Sequence, residues 1–158
     1  ELIGLMGIGP SKAITVLTAL ELGKRVAAAP TVKRSVIQSS HDIAELFMEE
    51  LRYEKKEHFK SVMMNTKGEV ISVETVSIGT LSNTVVHPRE VFGSAVRKSA
   101  AGVIFVHNHP SGDPKPSEED ILTTERLKKG GEILGIEVLD HIIIGNGKFS
   151  SLKAMELL

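Results

Sequence analysis

The chain contains no cysteine and no tryptophan, and only 4% of its 158 residues are aromatic. Without cysteine, disulfides and cysteine-ligated zinc sites are excluded. The same absence argues against a cytidine-deaminase site, which needs a Cys-x-x-Cys pair beside its third metal ligand. No apolar run approaches the length of a membrane span, and no signal peptide is visible. We therefore expect a cytoplasmic protein that has no membrane partner.

An excess of charge of either sign is absent as well. The chain has 19 basic and 20 acidic residues, with a net charge of −1, so no global basic field is available to hold nucleic acid. Hydrophobic residues make up 41% of the sequence, enough for one sizeable core with a small appendage. Since the chain begins at Glu1 rather than at methionine, we expect an upstream segment in the natural protein.

The most informative stretch that is present is HNHPSGDPKPSEED, at residues 107–120. It follows a short apolar, β-branched run at residues 101–106, which is typical of a strand buried on both faces. Alternate residues of a strand share a face. We therefore expect His107 and His109 to lie on one side of the strand and Asn108 to point away from them.

The composition after this strand indicates a turn that leads to a helix. Pro110 ends the strand, and a segment rich in proline, glycine and serine delivers the chain to a helix start at Ser117, with Asp120 in the first turn. Two imidazoles and one carboxylate suit a divalent metal, and three protein ligands leave a tetrahedral ion one open position. Water bound there has its pKa lowered towards roughly 7. The pattern therefore predicts metal-dependent hydrolysis.

Each half of this pattern also has a structural interpretation. Ser117-x-x-Asp120 fits a helix capping box, and two histidines at a strand end can simply satisfy a turn. The combination favours a metal site, because a loop that aims a carboxylate back at two histidines of one face has little structural purpose without an ion.

The stretch resembles the JAMM (MPN) metal-site pattern, in which His-x-His-Pro is followed after a short spacer by Ser-x-x-Asp. HNHPSGD in particular looks like the signature of the RadC family, and VHPRE at residues 86–90 and LDHIIIG at residues 139–145 resemble its other recurring segments. The resemblance implies a JAMM/MPN, cytidine-deaminase-like fold with one zinc ion per chain and hydrolysis of peptide or isopeptide bonds in a protein or peptide substrate. That family has historically carried a DNA-repair label.

The resemblance also implies a role for individual residues. The implied metal ligands are His107, His109 and Asp120. Ser117 corresponds to a serine that helps to hold the oxyanion of the tetrahedral intermediate. The remaining catalytic residue is a glutamate on an earlier strand, and Glu57 is the best match, with Glu54 as the competing choice.

A second motif lies near the start of the chain. Gly7-Ile8-Gly9 forms a tight turn before a helix that Ser11 can cap, which is similar to the second half of a helix-hairpin-helix motif. In such motifs backbone N–H groups hold a DNA phosphate, which makes Gly7, Gly9 and Lys12 candidate DNA contacts. A plain helical connector is the commoner use of such a turn.

The remaining pattern predicts an α/β fold, a mixed sheet packed by helices. We expect a partial helix-hairpin-helix segment and linker at residues 1–33 and the JAMM/MPN domain at residues 34–158. The predicted helices cover residues 39–51, a segment from 88 onwards, residues 117–129 and residues 152–158, and the predicted strands cover residues 57–65, 69–77, 101–106, 136–144 and 149–151. Gly130-Gly131 is expected to stop the third helix. The loops at residues 80–84 and 111–116 are expected to flank the site.

Histidines outside the motif are open to structural explanations. His141 follows Asp140 in an apolar strand and either orients a metal ligand or is a buried, hydrogen-bonded side chain, which is the commoner case. His87 precedes a proline at a helix start and is expected to be structural. His58 should point away from Glu57 if the strand is regular.

Two rival functions stay open at this stage. One is a non-enzymatic, DNA-associated module of repair or recombination with a structural metal site, whose affinity for DNA would depend on salt. The other is a metal-dependent nuclease, which often uses paired metal ions. The nuclease is the weaker alternative, because the sequence has no second carboxylate cluster.

Overall fold

The computed structural model describes residues 9–28, 36–79 and 86–158. The chain divides into two compact units, Glu1–Val32 and Lys33–Leu158. The described part of the first unit is helix α1 (Pro10–Ala28), which the sequence predicts. Several large apolar side chains of α1 are exposed, including Leu17 and Leu20.

The second unit is a mixed sheet packed by helices, as predicted. Its described elements are α2 (Ser40–Leu51), β1 (Glu57–Met64), β2 (Val70–Gly79), α3 (Pro88–Arg97), β3 (Gly102–Asn108), α4 (Glu118–Leu134), β4 (Glu137–Ile144) and β5 (Phe149–Ser151). The strand order is β2-β1-β3-β4-β5, with β3 and β4 parallel and the other neighbours antiparallel. All seven residues of β3 are buried, which agrees with its central position.

Side-chain caps define where two of the helices begin. The Ser39 hydroxyl accepts the Asp42 N–H at 3.3 Å, and Asp42 Oδ2 accepts the Ser39 N–H at 2.9 Å, so Ser39 is the N-cap of α2. At the start of α3, Nδ1 of His87 accepts the Arg89 N–H at 3.3 Å. The structural role expected for His87 is therefore confirmed.

Apolar side chains fill both faces of the sheet. The core on the side of α3 and α4 includes Phe59, Met63, Val91, Phe92, Phe105 and Leu127. Ile104 and Ile142 alternate with residues of that face and lie near Ile43 of α2 on the other one. The residues of β3 with odd numbers therefore face α3 and α4, which is the side on which His107 lies.

Helix α4 extends beyond the glycine pair that was predicted to end it. It runs through Gly130 and Gly131 to Leu134, and its C-cap is Gly135, which adopts φ 69°. A Cβ on Gly131 would overlap the Ile136 carbonyl and lie 3.2 Å from the Phe92 ring. The glycine pair therefore serves close packing against α3 and the start of β4 rather than termination.

The predicted C-terminal helix is also wrong. Residues 152–157 form successive hydrogen-bonded turns, among them Leu157 N–H to the Leu152 carbonyl at 2.9 Å. Glu156 adopts φ 59°, a left-handed conformation that interrupts helical geometry. The predicted loop at residues 80–84 lies outside the described residues. Within the described ranges, no helix combines the length and the apolar character needed to cross a membrane.

Candidate metal centre

Three side chains converge where β3 ends and α4 begins. Nε2 of His107 lies 3.0 Å from Nε2 of His109 and 3.2 Å from Oδ1 of Asp120. Nε2 of His109 lies 3.3 Å from Oδ2 of the same carboxylate. The His107 and Asp120 side chains are fully buried, whereas 14% of the His109 side chain is exposed. Solvent therefore approaches the group on its His109 side.

The spacing of these atoms matches the requirements of a small divalent ion. Ligand atoms about 2.0–2.1 Å from a tetrahedral zinc lie about 3.3–3.4 Å apart. The three distances between nitrogen and oxygen atoms here are 3.0, 3.2 and 3.3 Å. Within the part of the chain that the structure describes, His107, His109 and Asp120 are the group of metal-ligating side chains that could hold an ion.

The loop after β3 fixes the proton of His109. Nδ1 of His109 lies 2.8 Å from the Asp113 carbonyl oxygen. A carbonyl only accepts, so Nδ1 carries the proton and the neutral ring turns the lone pair of Nε2 towards the centre. Hydrogen bonding to Asp120 raises the pKa of His109, against the lowering effect of burial. The surroundings of this ring therefore favour positive charge.

The helix start fixes Asp120 in turn. The Ser117 backbone N–H and hydroxyl both donate to Oδ2 at 2.7 Å, and the Ser117 oxygen accepts the Asp120 N–H at 3.1 Å. The predicted capping box is therefore present, and it orients the carboxylate. Burial works to raise the pKa of Asp120, but the imidazoles of His107 and His109 beside the carboxylate and the Ser117 hydroxyl hold it well below the usual value.

One carboxylate oxygen has no donor. Oδ1 of Asp120 is buried without a hydrogen-bond partner and lies 3.2 Å from Nε2 of His107. A buried ionised oxygen without compensation is costly. The imidazole lone pairs and the negative charge of Asp120 thus lie in one small buried volume. A cation bound there would be stabilised by both. The donor set of two imidazoles and a carboxylate fits zinc.

Strand register brings Glu57 to the same side of the sheet. Phe59 of β1 pairs with His107 of β3, and their rings stack with centroids 6.1 Å apart. Glu57 precedes Phe59 by two residues, so both side chains leave β1 on one face. Glu57 is half-buried, and its charge contributes to the raised pKa of His109. The competing residue, Glu54, instead pairs with His58, with Oε2 3.5 Å from Nε2.

Asn108 has a structural role that the sequence pattern does not predict. Its Oδ1 accepts the His58 N–H at 2.8 Å, and its Nδ2 donates to the carbonyls of Glu54 and Lys56 at 3.3 and 3.1 Å. Asn108 points away from the two histidines, as expected, and there it holds the backbone on both sides of Glu57. The only signal in the sequence was an amide buried at the end of a central strand.

His141 is the buried, hydrogen-bonded histidine that the sequence favoured. Its partner was not predicted: Nε2 of His141 lies 2.8 Å from Nδ1 of His107. Asp140 accepts the His141 backbone N–H at 2.7 Å and the Ser151 hydroxyl at 2.7 Å.

The loop between the ligands rests on the turn between β4 and β5. The Asn146 N–H donates to the Gly112 carbonyl at 2.9 Å, and Gly112 itself adopts φ 83°. A Cβ on Gly145 would overlap the Gly112 carbonyl and lie 2.8 Å from Pro114. Glycine at residue 145 therefore allows this loop to approach the sheet closely.

The candidate DNA contacts lie in the other unit. Gly7 is outside the described residues, while Gly9 and Lys12 are exposed at the start of α1. The Gly9 carbonyl accepts the Ala13 N–H at 3.0 Å. DNA binding by this segment stays a prediction.

Known proteins with similar sequences agree with the fold. Residues 37–157 match the family profile described as RadC-like JAB domain. A UPF0758 protein of Desulforamulus reducens is 56% identical over 158 residues, which is 100% of this chain and 70% of that protein. One from Moorella thermoacetica is 52% identical over 158 residues, 100% of this chain and 69% of its own length. One from Geobacillus kaustophilus is 53% identical over 153 residues, 97% of this chain and 68% of that protein. The chain therefore belongs to the family of RadC-like JAB domain proteins, as its His-x-His-Pro stretch predicts.

Proposed function

We propose that this protein is a zinc-dependent hydrolase of the JAMM type that cleaves peptide or isopeptide bonds. The observation that carries the proposal is the buried Asp120 carboxylate beside the two imidazoles. Its Oδ1, which has no hydrogen-bond partner, lies 3.2 Å from Nε2 of His107, and its Oδ2 lies 3.3 Å from Nε2 of His109. Membership of the family of RadC-like JAB domain proteins supports the proposal. The JAMM pattern that residues 107–120 resemble implies the same three ligands.

His107, His109 and Asp120 would hold one zinc ion, with solvent access on the His109 side. When bound, zinc supplies a Lewis acid that activates water at neutral pH and polarises a carbonyl group. The buried carboxylate and the two imidazoles, each held by a second hydrogen bond, orient the ligand atoms before the ion arrives.

Glu57 is assigned the role of general base and acid. Its half-buried carboxylate lies on the face of the sheet that carries both histidines, and its charge acts on His109. From that position it would take a proton from the attacking water and return it to the leaving amine.

Ser117 is assigned support of the developing oxyanion. Its hydroxyl donates to Oδ2 of Asp120, but that oxygen also accepts the Ser117 backbone N–H. The hydroxyl is therefore free to turn towards a substrate carbonyl while the carboxylate keeps one donor. This serine would both cap α4 and stabilise charge during the reaction.

Metal content tests the proposal. We expect about one zinc per chain by elemental mass spectrometry after incubation with zinc and desalting, and none in the double variant His107→Ala/His109→Ala. The matched control is His41→Ala/His87→Ala, which removes two histidines outside the centre and should keep the metal. Absence of zinc from the wild-type chain near neutral pH would refute the proposed function. A zinc-loaded chain is then assayed against fluorogenic peptides and isopeptide-linked lysine peptides.

A further inference from the structure

A buried chain of hydrogen bonds extends behind the candidate metal centre. Nδ1 of His107 lies 2.8 Å from Nε2 of His141, and Nδ1 of His141 lies 2.6 Å from Oγ1 of Thr124. Oγ1 of Thr124 lies 2.6 Å from the carbonyl oxygen of Asp120. His107, His141 and Thr124 are at most 1% exposed. The chain thus starts at one proposed ligand and ends on the backbone of another.

The carbonyl at the end of this chain sets the direction of every proton in it. Because the Asp120 carbonyl only accepts, the single hydroxyl proton of Thr124 must be donated to it. Oγ1 of Thr124 then accepts a proton from Nδ1 of His141. The opposite direction would set the lone pairs of Thr124 against the carbonyl at 2.6 Å.

His141 passes this direction on to His107. His141 is fully buried beside two phenylalanine rings, surroundings that disfavour a charged imidazole, so the neutral ring carries one proton, on Nδ1. Nε2 of His141 is then an acceptor, and Nδ1 of His107 donates to it. The rings of Phe59 and Phe105 pack edge-on against His141 at 5.4 and 5.9 Å, which keeps the imidazole from turning.

We propose that Thr124 and His141 are positioning residues that fix the tautomer of His107, so that its Nε2 presents a lone pair to the metal. Neither residue is among the three that converge on the candidate ion position. The inference rests on the proposed function for its purpose, but the proton arrangement itself is a property of the protein alone.

Thr124 allows a sharp test because its hydroxyl can be removed without changing its volume much. In Thr124→Val, His141 loses the acceptor for Nδ1–H and can move its proton to Nε2, which opposes the donor on His107. We expect zinc affinity, measured by competition with a chromophoric chelator, to fall about tenfold. Thr124→Ser keeps the hydroxyl and should keep the wild-type affinity. Equal affinities in Thr124→Val and the wild type would overturn the proposal.

Nitrogen-15 NMR of the histidine rings supplies a readout that needs no metal. In the metal-free wild-type protein we expect His141 to be protonated on Nδ1 and unprotonated on Nε2. Protonation on Nε2 would overturn the tautomer assignment even if Thr124→Val failed to fold. Should the wild-type chain bind no zinc, the proposed function fails, while the NMR spectrum still decides whether the proton arrangement is correct.

Discussion

At the scale of single residues, the candidate centre is defined by which atoms hold protons. The Asp113 carbonyl accepts a hydrogen bond from Nδ1–H of His109, and Ser117 donates to one of the two Asp120 oxygens. When both rings are neutral, the atoms that face one another at 3.0 to 3.3 Å are unprotonated. Zinc affinity should therefore depend on the neighbours of the ligands as well as on the ligands.

The proposed catalytic role of Glu57 should be separable from metal binding by substitution. Glu57→Gln keeps the size of the side chain but cannot accept a proton, so we expect kcat on a cleavable peptide to fall about 10²- to 10⁴-fold. Zinc affinity should stay unchanged, because Glu57 is not in the converging group. Glu54→Gln is the matched control and should keep its kcat. An equal loss in both variants would contradict the assignment.

Ser117 should have two separable effects, one on folding and one on zinc. Ser117→Ala removes the N-cap of α4, and we expect the free energy of unfolding of the metal-free protein to fall by about 1 kcal/mol in urea titrations. Zinc affinity should fall too, because Asp120 loses a donor. Ser39→Ala removes the equivalent capping box of α2 and should show the stability loss alone. If Ser39→Ala also lowered zinc affinity, the effect would be one of general stability.

The proposed ligands could be predicted because the pattern that places them is local. Strand parity puts His107 and His109 on one face, and a turn and a capping box return Asp120 to them within 13 residues. The partners of His141 and Asn108 could not be predicted in this way. His141 is 34 residues from His107, and Asn108 is 50 residues from His58, so their contacts depend on strand register.

At the scale of elements, β3 holds the two halves of the site together. Its His107 is one of the three proposed ligands, and its Asn108 holds the segment that leads into β1. The geometry that relates Glu57 to the ligands is therefore set by one strand and its neighbour.

Asn108→Ala should uncouple Glu57 from the ligands. The change removes an acceptor for the His58 N–H and donors to two carbonyls, at a cost of about 1–3 kcal/mol in the free energy of unfolding. We expect kcat to fall while zinc content stays at the wild-type level. Asn65→Ala is the control, since Asn65 binds the Lys67 and Glu69 N–H groups beyond the other end of β1. A loss of kcat in Asn65→Ala of the same size would mean that stability alone is responsible.

The errors in predicting the elements share a physical cause. Gly130-Gly131 looked like a helix end from its propensity, but tertiary packing against Pro88 and Phe92 explains the two glycines. The true end at Gly135 is marked by its positive φ. The helix predicted at residues 152–158 is replaced by turns, and the left-handed Glu156 interrupts helical geometry there. Helix propensity depends on residue type and carries no information about such tertiary structure.

At the scale of the whole molecule, zinc should stabilise the folded chain. A ligand that binds the native state alone, at 100 times its Kd, adds about 2.7 kcal/mol to the free energy of unfolding. For a chain of this size we therefore expect the Tm to rise by roughly 5–11 °C in differential scanning calorimetry. His107→Ala/His109→Ala should show no rise. A rise of equal size in that variant would indicate that zinc binds elsewhere.

The alternation of side chains along β3 limits how the length of the chain can change. Deleting one residue within β3, with the rest of the sheet held in place, would turn Asn108 towards Asp120 and turn the histidines towards the backbone that Asn108 now holds. The ligand group on one face of β3 and the backbone contacts of Asn108 on the other would be lost together. Protein engineers who lengthen or shorten this domain should therefore leave this strand untouched.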